Sequence, residues 1–206
     1  MNSDAGGKPM AILFMILGYL VCNVNLAQWI ARRRGVNIRS VGSRNPGASN
    51  VFMTVGPWLG VAVAVFDILK AAAVVMAARW LCPQMEYIGY LTGLGCLLGN
   101  LFPCFHGFRG GKGFATFVGL TLGMDWMFTV GLVVIVALIT IFTGYIVLGT
   151  YTAIASYPVY VFLLAGGVVP MLIVLTVSLL IFSKHLENID RLRDGSEMRL
   201  NLLRRK

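Results

Sequence analysis

The sequence predicts an all-α integral membrane protein with seven transmembrane helices, its N-terminus outside the cell and its C-terminus in the cytoplasm. Of its 206 residues, 58% are hydrophobic and 12% are charged, and the mean hydropathy is +0.81. These values lie outside the range of soluble domains. Apolar runs of this kind must form helices, because lipid offers no water to an unpaired backbone. We expect one polytopic domain over residues 1–206.

Seven apolar runs are long enough, or nearly so, for a span of roughly 20 residues each. In order they cover residues 10–30, 51–80, 87–105, 114–124, 126–148, 151–166 and 168–183. The second run is long and the fourth is short, so their boundaries are the least well defined. The first is too long for a cleavable signal sequence, continues into Arg32, Arg33 and Arg34, and lacks a small-residue cleavage site.

The basic residues set the orientation. With the N-terminus outside, three interior segments hold all of the lysines and arginines except Lys8, Lys70 and Arg79. The interior set is Arg32, Arg33, Arg34, Arg39, Arg44, Arg109, Lys112, Lys184, Arg191, Arg193, Arg199, Arg204, Arg205 and Lys206. Such asymmetry is the positive-inside pattern, so the net charge of +9 does not indicate nucleic-acid binding. It also places the polar segments 41–50, 105–116 and 184–197 on one, cytoplasmic, face.

The first polar segment, residues 41–50, combines hydroxyl and amide side chains with Arg44 just before an apolar run. Ser49 or Asn50 is a candidate N-cap, which would leave the positive end of the next helix facing an anion. An ordinary capped loop is an equal alternative.

The second polar segment centres on a glycine loop, residues 107–113, in which Arg109 and Lys112 stand among four glycines. Exposed backbone N–H groups and two cations favour an anion site. The loop is not a nucleotide-binding P-loop, because Gly113 occupies the Ser/Thr position. Close helix packing is the alternative explanation of the glycines, and Gly89/Gly93 and Gly95/Gly99 do fit GxxxG, but packing does not account for the two cations.

The third polar segment, residues 184–197, brings His185 and Asn188 to one face of a helix that continues from the last apolar run. A solvated interfacial histidine is the simpler alternative. Asp67 and Lys70 lie inside the second run, where a mutually satisfied ion pair and a direct functional role are both open. The four cysteines form no CxxC motif and are expected to be small buried hydrophobic residues.

Taken together, these segments resemble the bacterial acyl-phosphate-dependent glycerol-3-phosphate acyltransferases, the PlsY-type enzymes. That family has motifs like GSGNPGATN, GHxFPVFxGFKGGKGxAT and HRENIxRLxxGxE, with an LDLLK sequence between the first two. This chain has them in the same order at residues 42–50, 99–116 and 185–197, with Phe66-Asp67-Ile68-Leu69-Lys70 between. The match covers almost the whole chain.

The resemblance implies transfer of an acyl group from acyl phosphate to the sn-1 hydroxyl of glycerol 3-phosphate, giving lysophosphatidic acid and phosphate in phospholipid biosynthesis. It implies an active site on the cytoplasmic face of a bacterial inner membrane, with no cofactor, metal, nucleic acid or protein partner. The catalytic residues implied are Ser43, Lys112, His185 and Asn188. Phosphate would be bound by Arg44, Asn45, Gly47, Ser49, Asn50, Arg109, Gly110, Gly111, Gly113 and Thr116, with support from Asp67, Lys70 and Glu197.

Several residues depart from the family pattern. Arg44 replaces a glycine, Asn100 a histidine, Arg109 a lysine, Leu186 an arginine, Met53 an arginine, and Val147 a serine. Methionine cannot reproduce the paired hydrogen bonds of arginine to phosphate, and nearby Arg44 is a candidate substitute. Two alternatives therefore stay open: a divergent paralogue with another phosphate-bearing substrate, and a non-catalytic anion-binding or carrier protein.

Overall fold

The computed structural model describes residues 4–200, and every regular element in that range is helical. The chain forms two compact units, Met1–Asp125 and Trp126–Lys206, which are described separately. The basic residues Arg204, Arg205 and Lys206, counted above toward orientation, lie outside the described residues. The prediction of a single domain stays a prediction.

The first unit consists of six α-helices. They are α1 (Asp4–Cys22), α2 (Leu26–Arg33), α3 (Ala48–Thr54), α4 (Pro57–Leu81), α5 (Ile88–Leu101) and α6 (Phe114–Met124), with a 3₁₀ turn at Cys104–His106. Asn25 caps α2, its Oδ1 accepting a hydrogen bond from the Gln28 N–H at 2.8 Å. Pro57 opens α4, where its fixed φ suits the first helical turn.

Small residues let α1 and α5 pack backbone against backbone. A Cβ atom on Gly95 or Gly99 would collide with the carbonyl oxygens of Met15 and Tyr19 in α1. On the opposite side of this contact, Gly18 lies against the Thr92 carbonyl. The GxxxG interpretation of these glycines is therefore confirmed. The contact also fixes the position of the end of α5, from which the glycine loop at residues 107–113 continues.

The second unit consists of four α-helices and a π-helical turn. They are α7 (Trp126–Thr143), α8 (Ile146–Tyr160), the π turn Val161–Ala165, α9 (Val168–Lys184) and α10 (Leu186–Arg193). The aromatic side chains of Phe128 and Tyr160 join α7 to α8, with ring centroids 4.2 Å apart. A bend of 47° separates α9 from α10 at His185.

The membrane-protein class is confirmed, and the apolar runs correspond to helices. Five stretches are long and apolar enough to cross a bilayer: Gly7–Arg33, Pro57–Leu81, Ile88–His106, Trp126–Thr143 and Ile146–Leu164; α9 with α10 makes a sixth if that bent pair is one span. The run at residues 114–124 forms an 11-residue helix, α6, which covers roughly 17 Å of a hydrocarbon core about 30 Å thick. The count of seven and the orientation stay predictions.

Candidate active site

Asn50 organises the first polar segment. Its side chain is fully buried; Nδ2 donates to the carbonyls of Ile38 and Val41, at 3.0 and 3.1 Å, and Oδ1 accepts from the Ser43 N–H at 3.0 Å. Because both ends of the amide are engaged, Asn50 acts on the loop around it rather than by direct contact with a ligand. The loop keeps Ser43 half-buried.

The prediction that Ser49 or Asn50 caps the following helix is wrong. Gly47 is the N-cap of α3 and offers no side-chain hydrogen bond. Ser49 is exposed in the first turn, while Asn45 and Gly47 are half-buried just before it. The Asn50 amide, which was expected to cap the helix, instead forms hydrogen bonds with residues 38–43. Sequence spacing does not reveal these bonds.

Arg44 occupies the left-handed backbone region, with φ +60°. Few residues with a Cβ adopt that region, and glycine adopts it without penalty. The position is thus one whose backbone geometry suits the family's glycine, although arginine stands there. The Arg44 side chain is exposed beside Ser43 and Asn45.

In the glycine loop, two amides expected to hold phosphate are already bonded. The Gly110 N–H donates to the Leu101 carbonyl and the Gly111 N–H to the Asn100 carbonyl, both at 3.1 Å. A Cβ on Gly110 would collide with the Asn100 carbonyl, so this close approach requires glycine. The prediction that these two amides cradle phosphate does not fit the geometry. They instead fold the loop back onto the end of α5.

The N-terminus of α6 offers the better anion seat. Gly113 is its N-cap at φ +84°, a left-handed conformation that requires glycine, and no side-chain hydrogen bond caps the helix within the described chain. The N–H groups of the first turn have no intrahelical acceptor. Thr116, in that turn, is 1% exposed, and its Oγ1 has no hydrogen-bond partner among the described residues. Lys112 precedes the helix and is half-buried.

Polar residues in and around α1 and α2 hold both loops, and none of them is among the site residues predicted from the sequence. The Asn25 Nδ2 donates to the Pro46 carbonyl at 3.1 Å, and the buried Asn23 Oδ1 accepts from the Phe105 N–H at 3.3 Å. Tyr19 donates to the Phe102 carbonyl at 2.8 Å, and Arg39 donates to the Arg109 carbonyl. Two asparagines inside the first apolar run, Asn23 and Asn25, were the available signal.

Asp67 and Lys70 form an ion pair inside α4. The Lys70 ammonium lies 2.6 Å from Asp67 Oδ1 and also donates to the Val24 carbonyl at 2.6 Å. Both residues are buried, and the lysine lies over the Phe66 ring. The structure shows the ion pair of the first alternative, and the lysine also ties α4 to the end of α1. Asp67 Oδ1 makes no hydrogen bond of normal geometry among the described residues.

His185 lies at the bend between α9 and α10, not within one continuous helix as predicted. Its Nδ1 lies 2.8 Å from the Ile181 carbonyl, and because a carbonyl only accepts, Nδ1 carries the proton. Tyr151 donates to the His185 carbonyl at 2.8 Å. The residue is 6% exposed, with its ring bonded to one carbonyl and its own carbonyl bonded to Tyr151, so a simple solvated histidine does not describe it.

Asn188 lies one turn later and is oriented by Glu197. The Asn188 Nδ2 donates to Glu197 Oε1 at 2.8 Å, and the Glu197 N–H donates to the Arg191 carbonyl at 2.9 Å. Glu197 Oε2 is buried without a hydrogen-bond partner among the described residues. The third motif is therefore a folded unit that closes around Asn188.

The remaining departures lie in different environments. Val147 is buried near the start of α8 and Asn100 near the end of α5, whereas Met53 and Leu186 are 42% and 49% exposed.

Among the described residues, no three His, Cys, Asp or Glu side chains come together as metal ligands.

The comparison with known families is decisive. Residues 12–195 match the glycerol-3-phosphate acyltransferase family. The chain belongs to that family. A glycerol-3-phosphate acyltransferase of Geobacter sulfurreducens is 35% identical to it over 91% of this chain and 96% of that protein.

Solved structures in the family show the same fold. A crystal structure of PlsY, an integral membrane glycerol 3-phosphate acyltransferase in its glycerol 3-phosphate form, superposes with a TM-score of 0.87 at 32% identity. The superposition covers 94% of this chain and 96% of the PlsY chain. A lysophosphatidic acid form gives a TM-score of 0.84 at 31% identity. The motifs of this family member thus divide between the two units, with the first two in the first unit and the third in the second.

Proposed function

We propose that this chain transfers an acyl group from acyl phosphate to the sn-1 hydroxyl of glycerol 3-phosphate, releasing lysophosphatidic acid and phosphate. Family membership and structural relatives named for glycerol 3-phosphate and lysophosphatidic acid support the acceptor and the product. The observation that supports acyl phosphate as the donor is the N-terminus of α6. It has no side-chain cap within the described chain, and it lies beside Lys112 and the Thr116 hydroxyl. A phosphate at the reacting acyl group is what such a site binds best.

In this proposal, Lys112 and the first turn of α6 bind the donor phosphate and offset the charge that develops at the acyl carbonyl. Thr116 donates its hydroxyl to the same phosphate. Arg109, which lies in the same loop, adds positive charge. The short length of α6 supports an anion site recessed from the membrane surface. An acyl phosphate whose chain lies in the membrane can place its phosphate there.

The other two motifs, each within its own unit, supply the roles that the resemblance implies for glycerol 3-phosphate. Ser43, Arg44, Asn45 and the start of α3 at Gly47 and Ser49 bind its phosphate, while Asn50 shapes their loop. His185 and Asn188 orient its glycerol hydroxyl groups. The His185 Nδ1–H is committed to a carbonyl, so Nε2 is the ring atom that accepts from a hydroxyl, and Glu197 fixes the amide of Asn188.

The reaction forms an ester bond between the sn-1 oxygen and the acyl carbon, and breaks the bond from that carbon to the phosphate oxygen. The hydroxyl proton leaves on the released phosphate, so no side-chain base or metal is needed. Orientation of two bound reactants supplies much of the rate. The active site faces the cytoplasm in a bacterial inner membrane, which accords with the basic residues of the interior segments.

The test uses purified protein in detergent with palmitoyl phosphate and labelled glycerol 3-phosphate. Lysophosphatidic acid should form, and Lys112→Ala should lower kcat roughly a hundred- to a thousandfold, as loss of one charge-stabilising donor does. Lys8→Ala is the matched control, because Lys8 is exposed near the other end of the first span. Equal turnover with a thioester acyl donor would overturn the assignment of the donor.

Met53 favours one alternative, a changed phosphate-bearing acceptor, because an exposed methionine stands where the family has a phosphate-gripping arginine. Parallel assays with other phosphorylated alcohols decide between the two. A preference for another acceptor that Met53→Arg shifts back to glycerol 3-phosphate would establish this alternative. A preference for glycerol 3-phosphate in the unaltered protein would remove it.

A further inference from the structure

A cavity of about 400 Å³ lies between α2 and the loop 35–39. Pockets for small ligands typically measure about 300 to 1,000 Å³. Arg32, Arg39 and Gln28 are among the residues that line it. No residue assigned above to acyl transfer lines it, so this cavity is distinct from the seat at α6.

Gln28, one of the lining residues, carries a buried amide donor. The residue is 6% exposed, and its Nε2 has no hydrogen-bond partner among the described residues. A buried N–H group without a partner is unfavourable and rare in folded proteins. A ligand with acceptor oxygens in the cavity would satisfy it once the Gln28 side chain rotates its amide toward the cavity that the residue lines.

Positive charge gathers around the cavity. Arg39 is half-buried and donates to the Arg109 carbonyl. Burial, together with the nearby charges of Arg109 and Arg32, lowers the pKa of Arg39. Within residues 4–200, the ion pairs found involve other residues, Asp67 with Lys70 and Glu187 with Arg191. The three arginines therefore favour an anion beside them.

We propose that this cavity is a second anion site, which binds a phosphate group carried either by a lipid headgroup or by a soluble phosphate compound. Arginine presents a planar fork of donors that matches phosphate oxygens. Basic pockets on the cytoplasmic side of helical membrane proteins bind anionic headgroups in the same way. Since Arg39 also holds the Arg109 carbonyl, this site is joined directly to the glycine loop.

The positive-inside pattern alone does not explain these features. Arg39 is half-buried, whereas Arg32 is exposed. Arg33 and Arg34 satisfy that pattern equally well and are also exposed, and Arg33 lies over the Trp29 ring at 4.8 Å. Neither lines the cavity. Arg34 is therefore a matched control for Arg39, since it has the same charge in the same segment but does not line the cavity.

The experiment measures anion binding to the purified full-length protein in a Lys112→Ala background, which removes the main cation of the α6 site. Phosphatidylglycerol binding is followed by native mass spectrometry, and inorganic phosphate binding by titration calorimetry. We expect Arg39→Gln and Gln28→Met to weaken binding roughly ten- to a hundredfold, as loss of a charged hydrogen bond does, and Arg34→Gln to leave it unchanged.

Gln28→Met guards against a folding artefact. It keeps the volume of the side chain and removes a donor that has no partner among the described residues, so stability should be retained while binding falls. Binding of phosphatidylglycerol alone identifies a lipid headgroup, and binding of inorganic phosphate as well identifies a soluble anion. Equal binding by Arg39→Gln, Gln28→Met and Arg34→Gln, or binding of neither probe, would overturn the proposal.

Discussion

Replacing Arg44 with glycine is expected to raise stability and lower activity at once. The left-handed conformation of Arg44, at φ +60°, costs a residue with a Cβ about 1–2 kcal/mol. Glycine adopts it freely but loses about 0.5–1 kcal/mol more conformational entropy on folding. The difference predicts that Arg44→Gly increases the free energy of unfolding by about 0–1.5 kcal/mol, with a midpoint of about 0.75 kcal/mol. The exposed side chain adds little packing to offset this gain.

The activity should move the other way if Arg44 binds the phosphate of glycerol 3-phosphate. Hydrogen bonds to a charged group contribute about 1.5–3 kcal/mol. Their loss corresponds to a roughly ten- to a hundredfold increase in KM for glycerol 3-phosphate. A strained backbone at a substrate site is retained when the side chain it presents is needed there.

The assay pairs steady-state kinetics with unfolding by sodium dodecyl sulfate. Arg44→Lys retains the charge and should recover part of the loss in KM. In the double variant Arg44→Gly/Met53→Arg, the family's glycine and arginine are both present, so KM should return toward the original value. An Arg44→Gly protein that is less stable, or one whose KM is unchanged, would refute the reasoning.

Three further substitutions test the packing and the third motif. Asp67→Asn leaves a buried ammonium unpaired and should lower the free energy of unfolding by about 3 kcal/mol or more in a detergent titration; an unchanged value would contradict the ion pair. Gly95→Ala presses a methyl group on an α1 carbonyl and should cost about 1–3 kcal/mol in the same titration, whereas Gly131→Ala, which has open space around it, should cost nothing. Asn188→Asp sets two carboxylates together and should reduce kcat at least about tenfold in the acyltransferase assay; adding Glu197→Gln should restore part of it, and no recovery would argue against the pairing.

Hydrophobicity and length predicted the helices well, because a bilayer leaves the backbone few choices. The apolar runs are helical, but several of them contain breaks that were not predicted. The first run is broken at residues 23–25 and the fifth at residues 144–145, while the second is broken near its start. The Gly56-Pro57 pair there separates α3 from α4, since proline opens a helix more readily than it continues one. That signal was present in the sequence.

The loops were harder, because their hydrogen bonds join residues that sequence spacing does not relate. Nothing in the pattern shows that Asn50 bonds to Ile38 and Val41, or that the amides of Gly110 and Gly111 turn back to α5. The chemistry expected of the motifs was assigned by residue type. The structure instead distinguishes side chains that shape a loop from those that present a donor.

The glycine contacts of α1 with α5 also limit how the protein can vary in length. The two helices touch through backbone, so α5 cannot slide or turn without steric collision. One residue inserted between Gly99 and Gly110 would rotate the downstream chain by about 100° if helical and shift it by about 1.5 Å, which would displace Lys112 and the start of α6 together relative to α5. The connection at residues 82–87 lies before that contact, and its exposed residues Pro83, Gln84 and Glu86 bear no such constraint. Across relatives, insertions and deletions should therefore accumulate at 82–87 and be rare from Gly95 to Gly113.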